Sequence, residues 1–341
     1  METLAERPRR RIDALDIAKG IGMLLVVLGH SEPPKLLRYA IFAFHMPLFF
    51  MVSGMVYRKK RRAAVADLIH LILPYVATVA VVLLFQLLRT RAGMTNYYAS
   101  TRALLKSAWF GSGTDHKGIR LIGEIWFLVA LFWSRRLMDG LFCLDKLWAR
   151  ALCAAVLAGL GMALVNSEKW YPMSMDVALF GAGFMLVGWL IANRTDLLTD
   201  EDKLWPVLLA CALVYWVGCT RSRLTMSGRR YGDLWIALPT AVAGSLGTVS
   251  LSRLLEKVKP IKAFLAFIGR HSLLFLCIHT LDWRMPFPYW GGALVEPYAG
   301  RSWYWVLVTL RRFSFDFAVM CVVVLLAEGA RRMWRRKRPA A

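Results

Sequence analysis

Cysteine is scarce in this chain of 341 residues, and its placement argues against two classes of protein. The six cysteines fall mostly inside apolar runs. None has the CxxC spacing of a thiolate metal site, and none lies beside histidines with ligand-like spacing. The sequence therefore predicts neither a disulfide framework nor a metal site.

Acidic residues are also few, with 22 Asp and Glu against 44 Lys and Arg. A basic excess of this size can indicate a nucleic-acid partner. Here the basic residues form short clusters between apolar runs, as they do in the loops of membrane proteins, rather than one soluble basic face. We therefore expect no nucleic-acid binding.

Internal repeats and low-complexity linkers are absent from the sequence. The longest loop, at about 89–119, is too short and has too few apolar residues to fold as a separate domain. No small-x-small cleavage site follows the first apolar run, so we expect that run to remain as a helix. The sequence predicts one transmembrane domain over residues 1–341, with no appended soluble domain.

Apolar sequence is what the chain contains in abundance, since 58% of its residues are hydrophobic. Windows of about 20 residues predict an all-α, polytopic integral membrane protein, a single bundle of about ten transmembrane helices. Arg311 and Arg312 interrupt the last segment, so "SWYWVLVTL" is alternatively an interfacial helix with the span beginning near Phe313. The predicted segments are 14–30, 39–57, 68–88, 121–138, 149–165, 175–191, 204–218, 234–251, 264–279 and 303–327.

The orientation of the bundle follows from the distribution of Lys and Arg. Alternate loops carry dense basic clusters, such as "RKKRR" at 58–62, and the C-terminal tail "RRMWRRKRP" is equally basic. The positive-inside rule places such clusters in the cytoplasm. Both termini are therefore predicted to be cytoplasmic.

Two polar residues mark the first span. Lys19 and His30 are eleven residues apart, which in a helix is about 16 Å and three full turns, so they share one face at different depths. Asp16 precedes Lys19 by three residues and is predicted to form a structural ion pair with it. An alternative is that Lys19 only extends to the cytoplasmic interface. If it does not, its charge could meet the phosphates of an activated donor.

The second span, "FAFHMPLFFMVSGMVY", runs from the outside inwards. His45 enters it near the depth of His30, whereas Ser53, Gly54 and Tyr57 approach its cytoplasmic end. Pro47 is expected to bend this helix. A kinked packing helix with a small Ser-Gly contact is the alternative interpretation.

Polar groups at similar depth in other spans extend this pattern. Glu124 and Trp126 lie at the outer entry of the fourth predicted span, and His279 lies at the outer end of the ninth. Each could singly be an interfacial side chain, but ionisable groups gathered inside a membrane indicate a functional site. Histidine can remove a proton from a hydroxyl, and a carboxylate can orient the imidazole or bind a sugar hydroxyl. The cluster thus predicts a site that activates an alcohol.

An ordered set of motifs resembles a known family. The stretches "LDIAKGIGMLLVVLGH", "FHMPLFFMVSG", "IWFLVALFW", "SGRRYGD" and "IGRHSLLFLCIH" are similar to the acyltransferase-3 family of membrane-bound acyltransferases, and most to its fucose 4-O-acetylase-like subgroup. The resemblance implies a ten-helix enzyme that moves an acyl group, usually acetyl from cytoplasmic acetyl-CoA, to a hydroxyl of an extracytoplasmic or lipid-linked carbohydrate. The basic residue and essential histidine of that family fall on Lys19 and His30, with lysine here where many relatives have arginine. Its serine-glycine pair falls on Ser53 and Gly54.

These observations give one prediction of function with named roles. The protein is predicted to be an acetyl-CoA-dependent O-acyltransferase of the bacterial plasma membrane. It would have no tightly bound cofactor, and its partners would be acyl-CoA, a carbohydrate or glycolipid acceptor and the lipid bilayer. A direct transfer and a covalent acyl-histidine both remain open. A transporter of a glycolipid or small polar solute and a non-catalytic membrane partner are the alternatives. The predicted site residues are His30 and Glu124 for catalysis, Lys19, Ser53, Gly54 and Tyr57 for the donor, and His45, Trp126 and His279 for the acceptor.

Overall fold

The computed structural model of the protein describes residues 13–59, 63–111, 113–166, 170–284 and 295–336. The chain is helical throughout these ranges, apart from loops and two isolated β-bridges. A π-helical turn, Leu68–Ile72, joins α4 to α5. The helices are α1 (Asp13–Gly29), α2 (Lys35–Phe42), α3 (His45–Met55), α4 (Ala63–Asp67), α5 (Leu73–Arg91), α6 (Thr101–Phe110), α7 (Trp126–Leu141), α8 (Leu147–Asn166), α9 (Met175–Arg194), α10 (Glu201–Gly218), α11 (Leu234–Leu255), α12 (Lys259–Arg270), α13 (Ser272–Arg284) and α14 (Tyr304–Arg336).

Every predicted span coincides with one of these helices or with a broken pair of them. Six described helical segments are long and apolar enough to cross a membrane, counting α2 with α3 and α4 with α5 as one segment each. The number is seven if the bent pair α12 and α13 forms one span. The protein is therefore a multi-pass, all-α membrane protein. The remaining candidates are short or charged: α1 has 17 residues, α7 has 16, and α10 begins with Glu201, Asp202 and Lys203. The number ten thus stays a prediction.

Two of the predicted spans are interrupted in the structure. The second breaks at Ala43 and Phe44 between α2 and α3, and Pro47 lies in the first turn of α3. At that position its missing N–H costs no intrahelical hydrogen bond. The ninth span bends by 70° at His271, between α12 and α13. In contrast, α14 is one continuous helix of 33 residues through Arg311 and Arg312, so its first part is not a separate interfacial helix.

The helices divide into a buried group and an outer group. Most of α1, α3, α7 and α9 is buried, as is one face of α11. Helices α5, α8, α10 and α14 instead expose large apolar side chains, for example Leu84, Leu152, Trp216 and Leu325. Apolar side chains on the outside of a bundle are what a lipid environment requires, because the hydrocarbon core offers no water to polar groups. The basic clusters that set the predicted orientation lie partly outside the described residues, at 60–62 and 337–341.

Small residues allow the buried helices to approach one another closely. At the crossing of α3 and α9, a Cβ added to Gly54 would overlap the Met185 backbone, and one added to Gly188 would overlap the Met51 backbone. Glycine is common at such crossings in membranes, where close van der Waals contact supplies much of the attraction between helices. This crossing fixes α3, which carries His45 and Ser53, against the centre of the bundle.

We expect Gly188→Ala to lower the apparent melting temperature of the purified protein by several degrees. The added methyl group would meet the Met51 carbonyl and force the helices apart, a rearrangement that costs about 1–3 kcal/mol in a packed interior. The matched control is Gly183→Ala on the same helix, because a Cβ there meets open space and the helix gains propensity. Thermal unfolding in detergent, followed by fluorescence, measures both. Equal melting of the two variants would contradict the close crossing.

Candidate active site

Three of the four ionisable residues predicted to lie at one depth, together with Trp126, line a single small cavity. His30 comes from the end of α1, His45 from the start of α3, and Glu124 and Trp126 from the entry to α7. The cavity has about 20 Å³ of room, roughly one water molecule. Its wall is completed by Val26, Phe42, Met46, Ser227 and Leu276.

His30 has one ring nitrogen fixed by its own helix and the other directed towards a carboxylate. Its Nδ1 lies 3.0 Å from the Val26 carbonyl oxygen, which can only accept a hydrogen bond, so Nδ1 carries a proton. Its Nε2 is 3.5 Å from Glu124 Oε1. The side chain keeps 24% of its surface exposed, and it lines the cavity. His30 is thus a histidine with a reachable Nε2 and a fixed tautomer, as a general base requires.

His279 stands behind His30 and is fully buried. Its Nδ1 is 2.7 Å from Asp316 Oδ2, and its ring centroid is 6.0 Å from that of His30. A carboxylate on Nδ1 holds the imidazole in one tautomer and directs Nε2 away from the carboxylate. Among the described residues, this Nε2 has no hydrogen-bond partner. His279 does not line the small cavity, so the structure places it beside the predicted acceptor residues rather than among them.

Helix α14 contributes charged residues that the sequence interpretation missed. Arg312 Nη1 donates a hydrogen bond of 2.7 Å to the carbonyl oxygen of His30. Arg311 Nη2 donates one of 3.2 Å to Asp282 Oδ2. In the sequence alone these arginines indicate only an interruption of the last span. The signal that could have identified them was the presence of Arg311, Arg312 and Asp316 within an apolar segment, which by itself indicates function.

Glu124 and His45 are each held by a hydrogen bond, the first from a distant helix and the second within the local chain. Glu124 Oε2 accepts a hydrogen bond of 3.3 Å from Thr280 Oγ1, the residue after His279. His45 Nδ1 lies 2.9 Å from the Ile41 carbonyl oxygen, across the break between α2 and α3. The centroid of the His45 ring is 5.0 Å from that of Phe42. His30 and His45 therefore share one arrangement. In each, Nδ1 donates a hydrogen bond to the carbonyl oxygen four residues earlier, and Nε2 is left for another partner.

A second, larger cavity of about 730 Å³ contains the predicted donor residues Lys19 and Ser53. Lys19 Nζ lies 2.7 Å from Asp16 Oδ1, which is the predicted pairing. Ser53 Oγ accepts a hydrogen bond of 3.1 Å from Arg135 Nη1. Arg135 and Arg270 also line this inner cavity, and neither is among the predicted site residues.

Gly54 and Tyr57 lie elsewhere. Neither is among the described residues that line the inner cavity. Gly54 packs against α9, as described above. The Tyr57 hydroxyl donates a short hydrogen bond to Asp139, and its ring packs on Phe142. The structure thus gives both residues a packing environment and does not bring them to Lys19.

The two cavities occupy different depths of the same four helices. On α1, Lys19 lines the inner cavity and His30 the small one; on α13, Leu273 lines the inner cavity and Leu276 the small one. Helices α3 and α7 supply both cavities in the same way. A long ligand that enters at Lys19 would therefore meet His30 if it extended along these helices.

The sequence of the chain matches one known protein family. A family model described as an acyltransferase domain, that of the acyltransferase-3 family, matches residues 12–327, nearly the whole chain. The chain belongs to the acyltransferase-3 family. No curated protein and no solved structure matches it. Membership in this acyltransferase-3 family supports a membrane enzyme that transfers acyl groups, while the fucose 4-O-acetylase-like subgroup stays a prediction.

The site of this acyltransferase-3 protein also contains donors suited to a metal ion. One ligand atom each from His30, Glu124 and His279 lies within 4.8 Å of the others, and two histidines with one glutamate is a set that zinc accepts in catalytic sites. Against this, the guanidinium of Arg312 interacts electrostatically with Glu124 and with Asp316. A positive charge already present beside these donors disfavours a divalent cation. The absence of a resident metal remains our prediction.

We expect the purified protein to contain far less than one zinc or manganese ion per chain. We also expect it to keep its acyl-transfer rate after dialysis against EDTA, because Arg312 supplies positive charge beside Glu124 and Asp316. Elemental analysis by mass spectrometry and a transfer assay before and after chelation measure both quantities. A stoichiometric ion whose removal abolishes transfer, and whose return restores it, would make His30, Glu124 and His279 metal ligands instead.

Proposed function

We propose that the protein transfers an acyl group, most simply acetyl, from cytoplasmic acyl-CoA to a hydroxyl of an extracytoplasmic or lipid-linked carbohydrate. The observation that carries this proposal is that the same four helices line two cavities, one containing the cation Lys19 and the other containing His30. Family membership supports acyl transfer over the transporter and the non-catalytic alternatives. The proposal includes ten spans, cytoplasmic termini and a bacterial plasma membrane.

The inner cavity would hold the phosphate-bearing part of the donor. Lys19, Arg135 and Arg270 line it, and each can give charge-assisted hydrogen bonds to phosphate oxygens. Asp16 and Asp67 keep Lys19 and Arg135 in place through contacts of 2.7 Å and 2.8 Å. In acyl-CoA the extended pantetheine arm separates the phosphates from the thioester. A donor held at Lys19 would thus present its thioester deeper in the bundle, towards His30.

His30 would act as the general base in the small cavity. Its Nε2 takes the proton of the acceptor hydroxyl while the hydroxyl oxygen bonds to the thioester carbonyl carbon. The tetrahedral intermediate then collapses, the carbon–sulfur bond breaks, and the CoA thiolate receives the proton from the imidazolium. Glu124, 3.5 Å from Nε2, stabilises that imidazolium. A covalent acyl-histidine would use the same nitrogen as nucleophile, and ping-pong kinetics would identify it.

The remaining residues would position these groups. His279 and Asp316 support the face of His30 away from the cavity, with ring centroids of the two histidines 6.0 Å apart. Trp126 offers an aromatic surface for a sugar ring, and His45 faces the same cavity. These four residues would set the geometry of the acceptor end without taking part in bond formation.

We expect His30→Ala to reduce acyl transfer by about 10²–10⁴-fold, the usual contribution of a general base. Thiol release from acetyl-CoA by the protein in lipid nanodiscs, with and without a crude glycan extract, measures the rate. The control is His271→Ala at the bend between α12 and α13, because His271 is not among the described residues that line either cavity. A folded His30→Ala protein with full glycan-stimulated release would remove His30 from the mechanism.

Lys19→Gln is expected to raise the KM for acetyl-CoA about tenfold, with a smaller effect on kcat, because it removes a phosphate contact remote from the reacting atoms. Lys19→Arg should keep most of the affinity, since the charge remains. Lys262→Gln is the control: it removes the same charge from α12 at a residue paired with Asp13, outside the described lining of the inner cavity. The same KM in Lys19→Gln as in wild type would place the donor elsewhere.

A further inference from the structure

A third cavity, of about 720 Å³, borders the small cavity and has a different chemical character. We call it the outer cavity. Phe42 lines both it and the small cavity, so the two are neighbours. The outer cavity is formed by one face of α2 and by loops that precede α7, α9 and α11. Its cationic lining residues are Lys35, Arg38, Arg229 and Arg230.

One turn of the chain connects the outer cavity with the small one. Thr225 and Arg230 form an isolated antiparallel bridge, with backbone hydrogen bonds of 2.6 Å and 3.0 Å. Between them, Ser227 lines the small cavity and Arg229 lines the outer cavity. Two residues of chain span at most about 7 Å. The Cα atoms of Ser227 and Arg229 are therefore at most about 7 Å apart, and this turn forms part of the wall of both cavities.

Arg229 is buried, and its hydrogen-bonding capacity is only partly used. Its Nε and Nη2 both bond to the Asp176 carboxylate at the start of α9. Its guanidinium carbon lies 3.7 Å from the centroid of the Trp170 ring, and only 6% of the residue is exposed. Among the described residues, Nη1 has no hydrogen-bond partner. A buried guanidinium N–H without a partner is costly, and an oxyanion is the ligand that satisfies it best.

The charges around Arg229 reinforce this preference. Lys35 and Arg38 lie on one face of α2, and Arg230 follows Arg229 on the turn; all three are exposed. The carboxylate in the lining, Asp115, accepts hydrogen bonds from Arg120 at 3.1 Å and from the backbone N–H of Leu121 at 2.7 Å. The outer cavity therefore keeps an excess of positive charge, which raises the local concentration of anions.

We propose that the outer cavity binds an oxyanion, phosphate or carboxylate, carried by the acceptor next to the hydroxyl that is acylated. The inference rests on the proposed function, and it narrows the acceptor to an anionic carbohydrate or glycan phosphate. The oxyanion would complete the hydrogen bonding of Arg229, with Arg38 and Arg230 at the rim of the cavity. The ring of Trp170 stacks against Arg229 and His116, so it would meet the sugar with its edge.

The test measures binding apart from catalysis. The protein in phosphatidylcholine nanodiscs is titrated calorimetrically with glucose 1-phosphate, glucuronate, inorganic phosphate and neutral methyl glucoside. We expect the anions to bind and the neutral sugar to bind at least about tenfold more weakly, because it lacks the charge-assisted contacts. Arg38→Gln and Arg230→Gln should each lower the affinity for glucose 1-phosphate about tenfold. These rim positions are preferred to Arg229, whose loss would leave Asp176 buried without its partner.

The control variant is Arg102→Gln, an exposed arginine of α6 that is not among the described residues lining the outer cavity. Equal affinity of the anions and methyl glucoside, or equal loss of affinity in Arg102→Gln and the rim variants, would overturn the proposal. Nanodiscs of phosphatidylglycerol provide a further arm. If that lipid alone displaces glucose 1-phosphate, the cavity holds a lipid headgroup and not the acceptor.

A parallel assay separates this proposal from the proposed function. Thiol release from acetyl-CoA is measured with wild-type protein and the same sugars. Anion binding without any acetyl-CoA turnover would support the anion site and count against the acyl-transfer function. Turnover with a neutral sugar and no anion binding would leave the transfer function intact and overturn the anionic acceptor.

Discussion

The pairing of ionisable groups between helices inside the bundle is the interaction on which the rest of this structure depends. Helix α14 supplies Asp316 to His279 of α13 and Arg312 to the carbonyl of His30 at the end of α1. Inside a membrane each such group is expensive to bury alone, so the contacts hold α14 against the bundle although most of its surface is apolar and exposed. The same contacts leave His30 Nε2 facing the cavity beside Glu124.

A close helix crossing fixes the positions of the residues that line the two cavities at different depths. Because Gly54 and Gly188 let α3 and α9 meet backbone to backbone, α3 is fixed in position and rotation. One helix then presents His45 to the small cavity and Ser53 to the inner cavity. The crossing that stabilises the fold thus also sets the spacing between the inner cavity and the small cavity.

Much of the site could be read from the sequence because depth in a membrane helix is a local property. Counting residues from the ends of the predicted spans was enough to group His30, His45, Glu124 and His279. The structure places the first three around one cavity and His279 beside His30. Which neighbouring helix a residue faces is not a local property, because it depends on how the whole helix is rotated and packed. Gly54 follows Ser53 by one residue and therefore turns by about 100° to face α9, away from the inner cavity.

Residues beyond a helix end were equally hard to place. Tyr57 lies past the end of α3 at Met55, so helical spacing from Ser53 no longer describes where its side chain points, and it bonds to Asp139.

The sequence by itself determined the helical membrane class, the family and the relative depth of the polar groups, because hydrophobicity and the rise per residue of a helix are properties of short segments. Only the tertiary structure decided that Asp316 supports His279 and that Arg229, in the wall of a basic cavity, has an N–H without a partner among the described residues. Those contacts join residues from separate helices and loops. They depend on how each element is rotated and packed, which no local pattern of residues specifies.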